Sequence, residues 1–313
     1  MPETAAPRPL LIRTRGSPLA LWQARHVREQ LIEAHGSAEG DIELKAITTA
    51  GDRIKDKPLR EFGGKGLFTK EIDEALLSGA VDLAVHSMKD LPTVLPKGIV
   101  IAAVLPRADV RDAFISSKAR SLTELPRGSV VGTSSLRRAA QVRRLRPDLR
   151  IADLRGNVET RLRKIKDGAA DATLLALAGL ERLGLAAEAT SILSTDEMLP
   201  AVAQGAIGVA ARSDDEKTRA LLAKLNDARS ETSVQCERAF LARLDGSCKT
   251  PIAGLAEIDR GVLRFRGLII TPDGSESYEI EVTGEASHAR ALGTDAGEEI
   301  LKRAGQGFLA KFA

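Results

Sequence analysis

At 313 residues, with 43 % hydrophobic and 28 % charged residues, the chain is long for a single core and is composed like a soluble globular protein of two or three domains. Aromatic residues make up only 3 %, so the cores must be aliphatic, and base-stacking of the kind single-stranded nucleic-acid binders use is poorly supported. The net charge of +3 is unevenly spread: from Arg137 through Lys166, nine Arg and two Lys face only Asp148, Asp153 and Glu159, a segment that reads as a solvated helix face, a nucleic-acid surface or a pocket for a polyanion.

In chain order, Met1 to Leu10 is rich in Pro and Ala and lacks the apolar stretch of a signal peptide. Leu10–Thr14 is expected to be a short strand. Ser17-Pro18 then opens a helix, with Ser as N-cap and Pro at the first helical position, and Leu19, Trp22, Val27 and Leu31 give it an apolar face. Ile42–Thr48 reads as a second strand. Thr49 to Gly66, polar and glycine-rich, reads as a long mobile loop. Phe68–Leu77 is expected to be helical, with Phe68, Ile72 and Leu76 on one face.

Val81–Val85 reads as a buried strand ending in His86-Ser87-Met88-Lys89-Asp90. Ser129–Gly132 and Leu149–Asp153 are further strands, each followed by a helix, to Leu145 and to Lys166. Ala172–Leu177 is a strand leading into Ala178–Leu183. The strand–helix rhythm predicts mostly parallel sheets with helices on both faces. After about Asn226 the pattern changes to a helix (Ser233–Leu244), alternating strands near Leu263–Ile270 and Tyr278–Val282, and a closing helix near Ala291–Ala310, which reads as a small α+β domain.

In open parallel sheets, ligands sit beyond the carboxyl ends of the strands. Three such junctions share one design. Thr14-Arg15-Gly16-Ser17, Gly132-Thr133-Ser134-Ser135-Leu136-Arg137-Arg138 and Asp153-Leu154-Arg155-Gly156-Asn157, with Arg161 beyond, each set free backbone N–H groups at a helix start beside arginines. Any one is ordinary capping with a surface Arg; three together point to a ligand with several anionic groups. Lys89-Asp90 is either a surface ion pair in a turn or a carboxylate aimed into that cleft, able to move protons and steady a cation. His86 reads as structural. Cys248, in Asp245-Gly246-Ser247-Cys248-Lys249, stands on a tight loop, where an exposed thiolate near cations is nucleophilic. Cys236 falls in a helical pattern and reads as structural. Two cysteines make no disulfide framework and no metal spacing, and no apolar run approaches the ~18 residues of a membrane span. A cytoplasmic protein with reduced thiols is expected.

Together these segments resemble the porphobilinogen deaminase (hydroxymethylbilane synthase) family. The stretches that carry the resemblance are RTRGSPLALWQA (13–24), GGKGLFTKEI (63–72), HSMKDLP (86–92), GTSSLRRAAQ (132–141), DLRGNVETRL (153–162), LALAGLERLGL (175–185), MLPAVAQGAIG (198–208) and DGSCKTPIAG (245–254), in the family's order and over most of the chain. The resemblance implies an α/β fold of two doubly wound domains like periplasmic binding proteins and a small C-terminal α+β domain. The implied boundaries are 8–105 with 206–223, then 111–199, then 228–313.

It further implies a transferase of tetrapyrrole and haem biosynthesis. Four porphobilinogens would be joined head to tail, each losing ammonia, on a dipyrromethane cofactor bonded as a thioether to Cys248, to give hydroxymethylbilane. By motif position Asp90 would be catalytic. Lys89, Ser135, Arg137 and Arg138 would bind the cofactor, and Arg15, Ser17, Arg155, Arg161, Arg182 and Gln204 the substrate. Lys65 and Phe68 would stand at the exit of a lid formed by the Thr49–Gly66 loop. No metal, nucleic-acid or membrane partner is implied, and a monomer is expected. Lys249-Thr250 differ from a Gln-Val pair seen in some members, which touches only loop contacts. Two other readings compete: a non-catalytic anion-binding protein of the periplasmic type, and a nucleic-acid binder using the 137–166 segment.

Overall fold

A computed structural model of the chain describes residues 8–47, 69–244, 250–305, 307, 308 and 311. Its first sheet begins with β1 (Leu10–Arg15) and β2 (Ile42–Ile47), joined by α1 (Pro18–His35). Ser17 caps α1 by accepting from the Ala20 amide, Pro18 occupies its first turn, and Gly36 closes it in the left-handed conformation at φ 63°. The buried face of α1 is Gln23, Ala24, Val27 and Leu31; Leu19 and Trp22, expected on that face, are only half-buried.

The sheet continues with β3 (Leu83–Ser87), preceded by α2 (Lys70–Leu77), and β4 (Ile99–Val104). The strand starts two residues later than its hydrophobic run suggests: the Val81 amide closes the turn out of α2 on the Ala75 carbonyl, and Asp82 already donates to Leu11 of β1. Leu83 and Val85 pack with Ile12, Val27 and Leu31 under α1, whereas Ala84 packs with Ile72 and Leu76 of α2. Alternation along β3 thus serves both faces of a doubly wound sheet.

From β4 the chain crosses to a second sheet of β5 (Asp112–Ser116), β6 (Val130–Gly132), β7 (Arg150–Ala152), β8 (Ala172–Ala176) and β9 (Ser191–Ile192). Helices α3 (Leu136–Leu145), α4 (Val158–Lys166) and α5 (Leu177–Arg182) connect them. The chain then returns to the first sheet through β10 (Ile207–Arg212). The strand orders are β2-β1-β3-β10-β4 and β7-β6-β8-β5-β9. In each, the three strands at one end are parallel, and the strand arriving from the other sheet, β10 or β5, runs antiparallel to both neighbours. Four of the five strands in each sheet therefore point the same way, as the strand–helix rhythm predicts, and a single reversed strand interrupts each set. A strand that enters from the opposite sheet has no crossover helix to reverse it, so it lies antiparallel.

The two crossover segments touch. Gly205, at φ 87°, lies so close to the first crossover that a Cβ there would stand 2.5 Å from the Ala108 carbonyl oxygen.

Beyond α6 (Glu216–Ala223) comes α7 (Ala228–Arg243), which starts earlier than its apolar pattern suggests because Asp227 caps it on the Ser230 amide. An antiparallel sheet of β11 (Ile252–Asp259), β12 (Val262–Ile270) and β13 (Ser277–Glu285) follows, then α8 (Ala289–Ala304). Its core joins Cys236 and Phe240 of α7 to Phe265, Ile269 and Ile300. Among the described residues, no helix is long and apolar enough to cross a membrane.

One buried ion pair ties these parts together. Arg107, in the first crossover, donates to both carboxylate oxygens of Glu237 on α7 at 2.6 and 3.0 Å, and through Nε to the Gln204 carbonyl at 2.8 Å. Glu237, fully buried, also accepts from the Ala203 amide at 2.6 Å and the Ala256 amide at 2.8 Å. Both crossovers, α7 and β11 therefore meet on one carboxylate. Arg107→Ala leaves that carboxylate without its cation, and breaking a buried pair from one side costs about 3–5 kcal/mol. Denaturant unfolding monitored by circular dichroism should show a loss of that order; a loss below about 1 kcal/mol would contradict the assignment.

Candidate functional site

The sequence-predicted residues follow the carboxyl ends of β1 and β3 in the first sheet and of β6 and β7 in the second, and contacts through Gln204 join the two sets. From the first sheet, Arg15 ends β1, Ser17 caps α1, and Lys89 and Asp90 lie in a 3-10 turn directly after β3. Arg15, Ser17 and Asp90 line one cavity of about 70 Å³ together with Gln23, His86 and Ser87. Asp90 is exposed at its mouth.

From the second sheet, Ser135 caps α3 and so fixes where Arg137 and Arg138 start. Asn157 does the same for α4, which carries Arg161, with Arg155 two residues ahead of the cap.

Arg137 and Arg138 are only 5 % exposed, and what holds them is Asp112 at the start of β5, itself fully buried. Asp112 accepts from Arg137 Nη2 and from Arg138 Nη2, both at 2.8 Å, and from Gln204 Nε2 at 2.8 Å. Burial alone would raise its pKa. The two guanidiniums and the Gln204 amide overcome that and hold the carboxyl well below the usual range.

Gln204 is fully buried and uses both ends of its amide here: Nε2 also donates to the Val110 carbonyl at 2.8 Å, and Oε1 accepts from Lys89 Nζ at 3.2 Å. One chain of contacts therefore runs from the first sheet (Lys89) through a crossover (Gln204) to the second (Asp112, Arg137, Arg138).

Charge is concentrated around this chain. Burial, and then the Arg138 charge, hold the Lys89 ammonium down to about 8, with Asp90 and Asp112 pulling the other way. Burial and Arg138 likewise lower Arg161 to about 10 against Asp90 and Asp153. Lys89 and Arg161 are thus each within electrostatic reach of both Asp90 and Arg138. The Nε groups of Arg137, Arg138 and Arg161 are all buried without an acceptor. Three buried guanidinium N–H donors lacking partners are costly, and a ligand carrying several carboxylates would supply the acceptors. The residues therefore suit an acid-rich cofactor such as a dipyrromethane.

Arg182 takes a different place. It donates to the Gly205 carbonyl at 2.7 Å, lies 5.8 Å from the Trp22 ring centroid, and lines a cavity of about 260 Å³ with Trp22, His26 and Leu105. Lys65, Phe68 and Cys248, and the Thr49–Gly66 lid, lie outside the described residues. Cys236 is buried in the core with Phe240, Phe265 and Ile300, its thiol pushed up to about 12 by burial, as a structural role requires.

Two participants escape a reading of the sequence alone. Asp112 is a charged residue opening a strand that the pattern did not reveal. Gln23 exchanges hydrogen bonds with Ser87 at 2.9 and 3.2 Å in the cavity wall. Its signal was a polar side chain on the buried stripe of α1. Replacing Asp112 by Asn leaves two adjacent buried guanidiniums without their counter-charge. A loss of about 3–5 kcal/mol is expected at neutral pH. The folded carboxyl titrates below its unfolded value near 4, so the wild-type advantage is full above that pH and fades as acid carries the solution toward the depressed folded value. Stability measured against pH should show the two proteins converging on acidification; a constant gap would refute the linkage.

Comparison with known proteins bears on the whole chain. The family described as "Porphobilinogen deaminase, dipyromethane cofactor binding domain" matches residues 10–220, and "Porphobilinogen deaminase, C-terminal domain" matches 232–302. Porphobilinogen deaminase of Nitrobacter hamburgensis is 57 % identical over 302 residues, covering 96 % of each chain. That of Paracoccus denitrificans is 56 % identical over 296 residues, covering 95 % of each. The chloroplastic enzyme of Oryza sativa subsp. japonica is 56 % identical over 302 residues, covering 95 % of this chain and 84 % of its own. Among solved structures, a periplasmic substrate-binding protein from Coxiella burnetii aligns at a TM-score of 0.44 and 16 % identity, over 71 % of this chain and 94 % of its own, too slight a likeness to argue from. Matched along nearly its full length, the chain belongs to the porphobilinogen deaminase family, transferases with a dipyrromethane-binding domain.

Proposed function

We propose that the chain joins four porphobilinogen molecules head to tail, with loss of one ammonia at each step, and releases the linear tetrapyrrole hydroxymethylbilane. The observation that carries this reading is that Lys89 and Arg161 both feel the charges of Asp90 and Arg138, while the buried Nε groups of Arg137, Arg138 and Arg161 have no acceptor. Each pyrrole brings an acetate and a propionate, so a lengthening chain demands more cationic partners than its first unit needs.

When bound, the dipyrromethane supplies the pyrrole carbon to which the first incoming ring is joined. Cys248 would hold it through a thioether, and Lys89, Ser135, Arg137 and Arg138 would grip its carboxylates. Arg15, Ser17, Arg155 and Arg161 would orient the incoming substrate, with Arg182 assisting from the crossover side and Gln204 acting behind them by holding Lys89 and Asp112 in place. Asp90 would protonate the departing amine, balance the positive charge left on the substrate ring, and help remove the ring proton after coupling. Lys65 and Phe68 would flank the covering loop. The units would be 8–105 with 206–223, 111–199, and 228–313, in a cytoplasmic monomer that binds no nucleic acid.

Intact mass spectrometry of freshly purified protein should show a dipyrromethane increment that disappears in Cys248→Ser; a bare polypeptide mass from active protein would rule the attachment out. Asp90→Asn should fold normally and keep most substrate affinity while losing about 10²–10⁴-fold in kcat. Near-normal turnover would take Asp90 out of the mechanism.

A further inference from the structure

β1 and β3 run parallel, with Ile12 opposite Leu83 and Arg13 opposite Ala84. Carried two residues further, the same register sets Arg15 opposite His86. Alternation puts His86 on the face of Ala84, the side covered by α2. Two adjacent strand ends thus offer a guanidinium and an imidazole side by side at the edge of the sheet where ligands of such folds bind.

His86 is 7 % exposed and lines the same cavity as Arg15, Ser17 and Asp90. Its Nε2 is buried and has no hydrogen-bond partner. A histidine kept only for packing is normally satisfied by a backbone or side-chain partner. This one is not. Burial, and then the charge of Arg15, hold the imidazole down to about 4, so it is neutral at physiological pH and carries a single N–H.

We infer that His86 and Arg15 together clamp one carboxylate of the bound pyrrole, Arg15 supplying the charge and the His86 imidazole N–H a second, directional hydrogen bond. The identity of that ligand rests on the function proposed above; the clamp rests on the geometry of the two strand ends. A neutral donor adds directionality without a further buried cation, and an anion already drawn to Arg15 supplies the acceptor that Nε2 lacks. A pyrrole carrying unlike acid arms, acetate and propionate, would be oriented by such a clamp, since only one arm can occupy it.

The test uses the holoenzyme, labelled with ¹⁵N-histidine, and an unreactive dicarboxylated pyrrole lacking the aminomethyl group. Long-range ¹H–¹⁵N spectra, with His86 assigned through His86→Asn, should show a neutral imidazole whose Nε2 resonance moves when the pyrrole binds. In kinetics, His86→Phe should raise KM for porphobilinogen about tenfold or more with a smaller change in kcat, as loss of a hydrogen bond to a charged group implies, and His86→Asn should recover part of the loss. Of the two monoamides of porphobilinogen, one should be impaired in the wild type and suffer little further loss in His86→Phe. A binding event that leaves the His86 resonance unmoved overturns the clamp. So does a His86→Phe variant with unchanged KM and only a lower melting temperature. Either result, with wild-type turnover intact, leaves the proposed function standing. If instead the wild-type holoenzyme fails to consume porphobilinogen, the function falls, and the response of His86 to the unreactive pyrrole decides the clamp separately.

Discussion

A single carboxylate with no access to solvent lets this cleft exist. Arg137 and Arg138 are neighbours in the first turn of α3, and both are almost wholly buried. Two guanidiniums so close would repel each other and bear the full loss of hydration. Asp112 answers both at once by giving one oxygen to each. The bound Gln204 amide completes the shell of that carboxylate and hands the contact on to Lys89. Arg137, Arg138 and, through Gln204, Lys89 are placed relative to this fixed point.

The network depends in turn on how the chain crosses between sheets. β5 and β10 each arrive from the opposite sheet and run antiparallel beside a parallel set. Asp112 begins the first of these strands and Gln204 precedes the second. The crossover segments press together at Gly205 and are bolted to α7 by Arg107 and Glu237. The crossovers are thus a junction in which electrostatics and backbone geometry fix each other.

Within the cleft, tied and untied polar groups are sorted. Asp112, Gln204, both terminal nitrogens of Arg137 and Nη2 of Arg138 are spent on internal contacts, which keeps the site assembled. The Nε groups of Arg137, Arg138 and Arg161 are left over, buried and unsatisfied. Such a site is stable without its ligand only because the rest of the fold holds it, and it is better satisfied with an anion present. Preformed donors of this kind need no reorganisation when negative charge arrives.

Much of this was legible in the residues themselves. Ser17-Pro18, Ser135 and Asn157 announced helix starts through local capping chemistry, which acts over a few residues and survives in any context. The arginines following those caps identified an anion site, and the turn after β3 marked Asp90. What local pattern did not carry was pairing between distant segments. β4, β5 and β10 lacked a period distinct from their surroundings, so the antiparallel strands went unseen, and with them the role of Asp112. The carboxylate that steadies Arg137 lies 25 positions away in sequence, and the one paired with Arg107 lies 130 away. At His86 the sequence states the residue's type but not that its Nε2 is buried without a partner. Capping and periodicity are properties of a segment. Satisfaction of a buried charge or N–H belongs to whatever the folded chain brings beside it, and only the tertiary structure decides that.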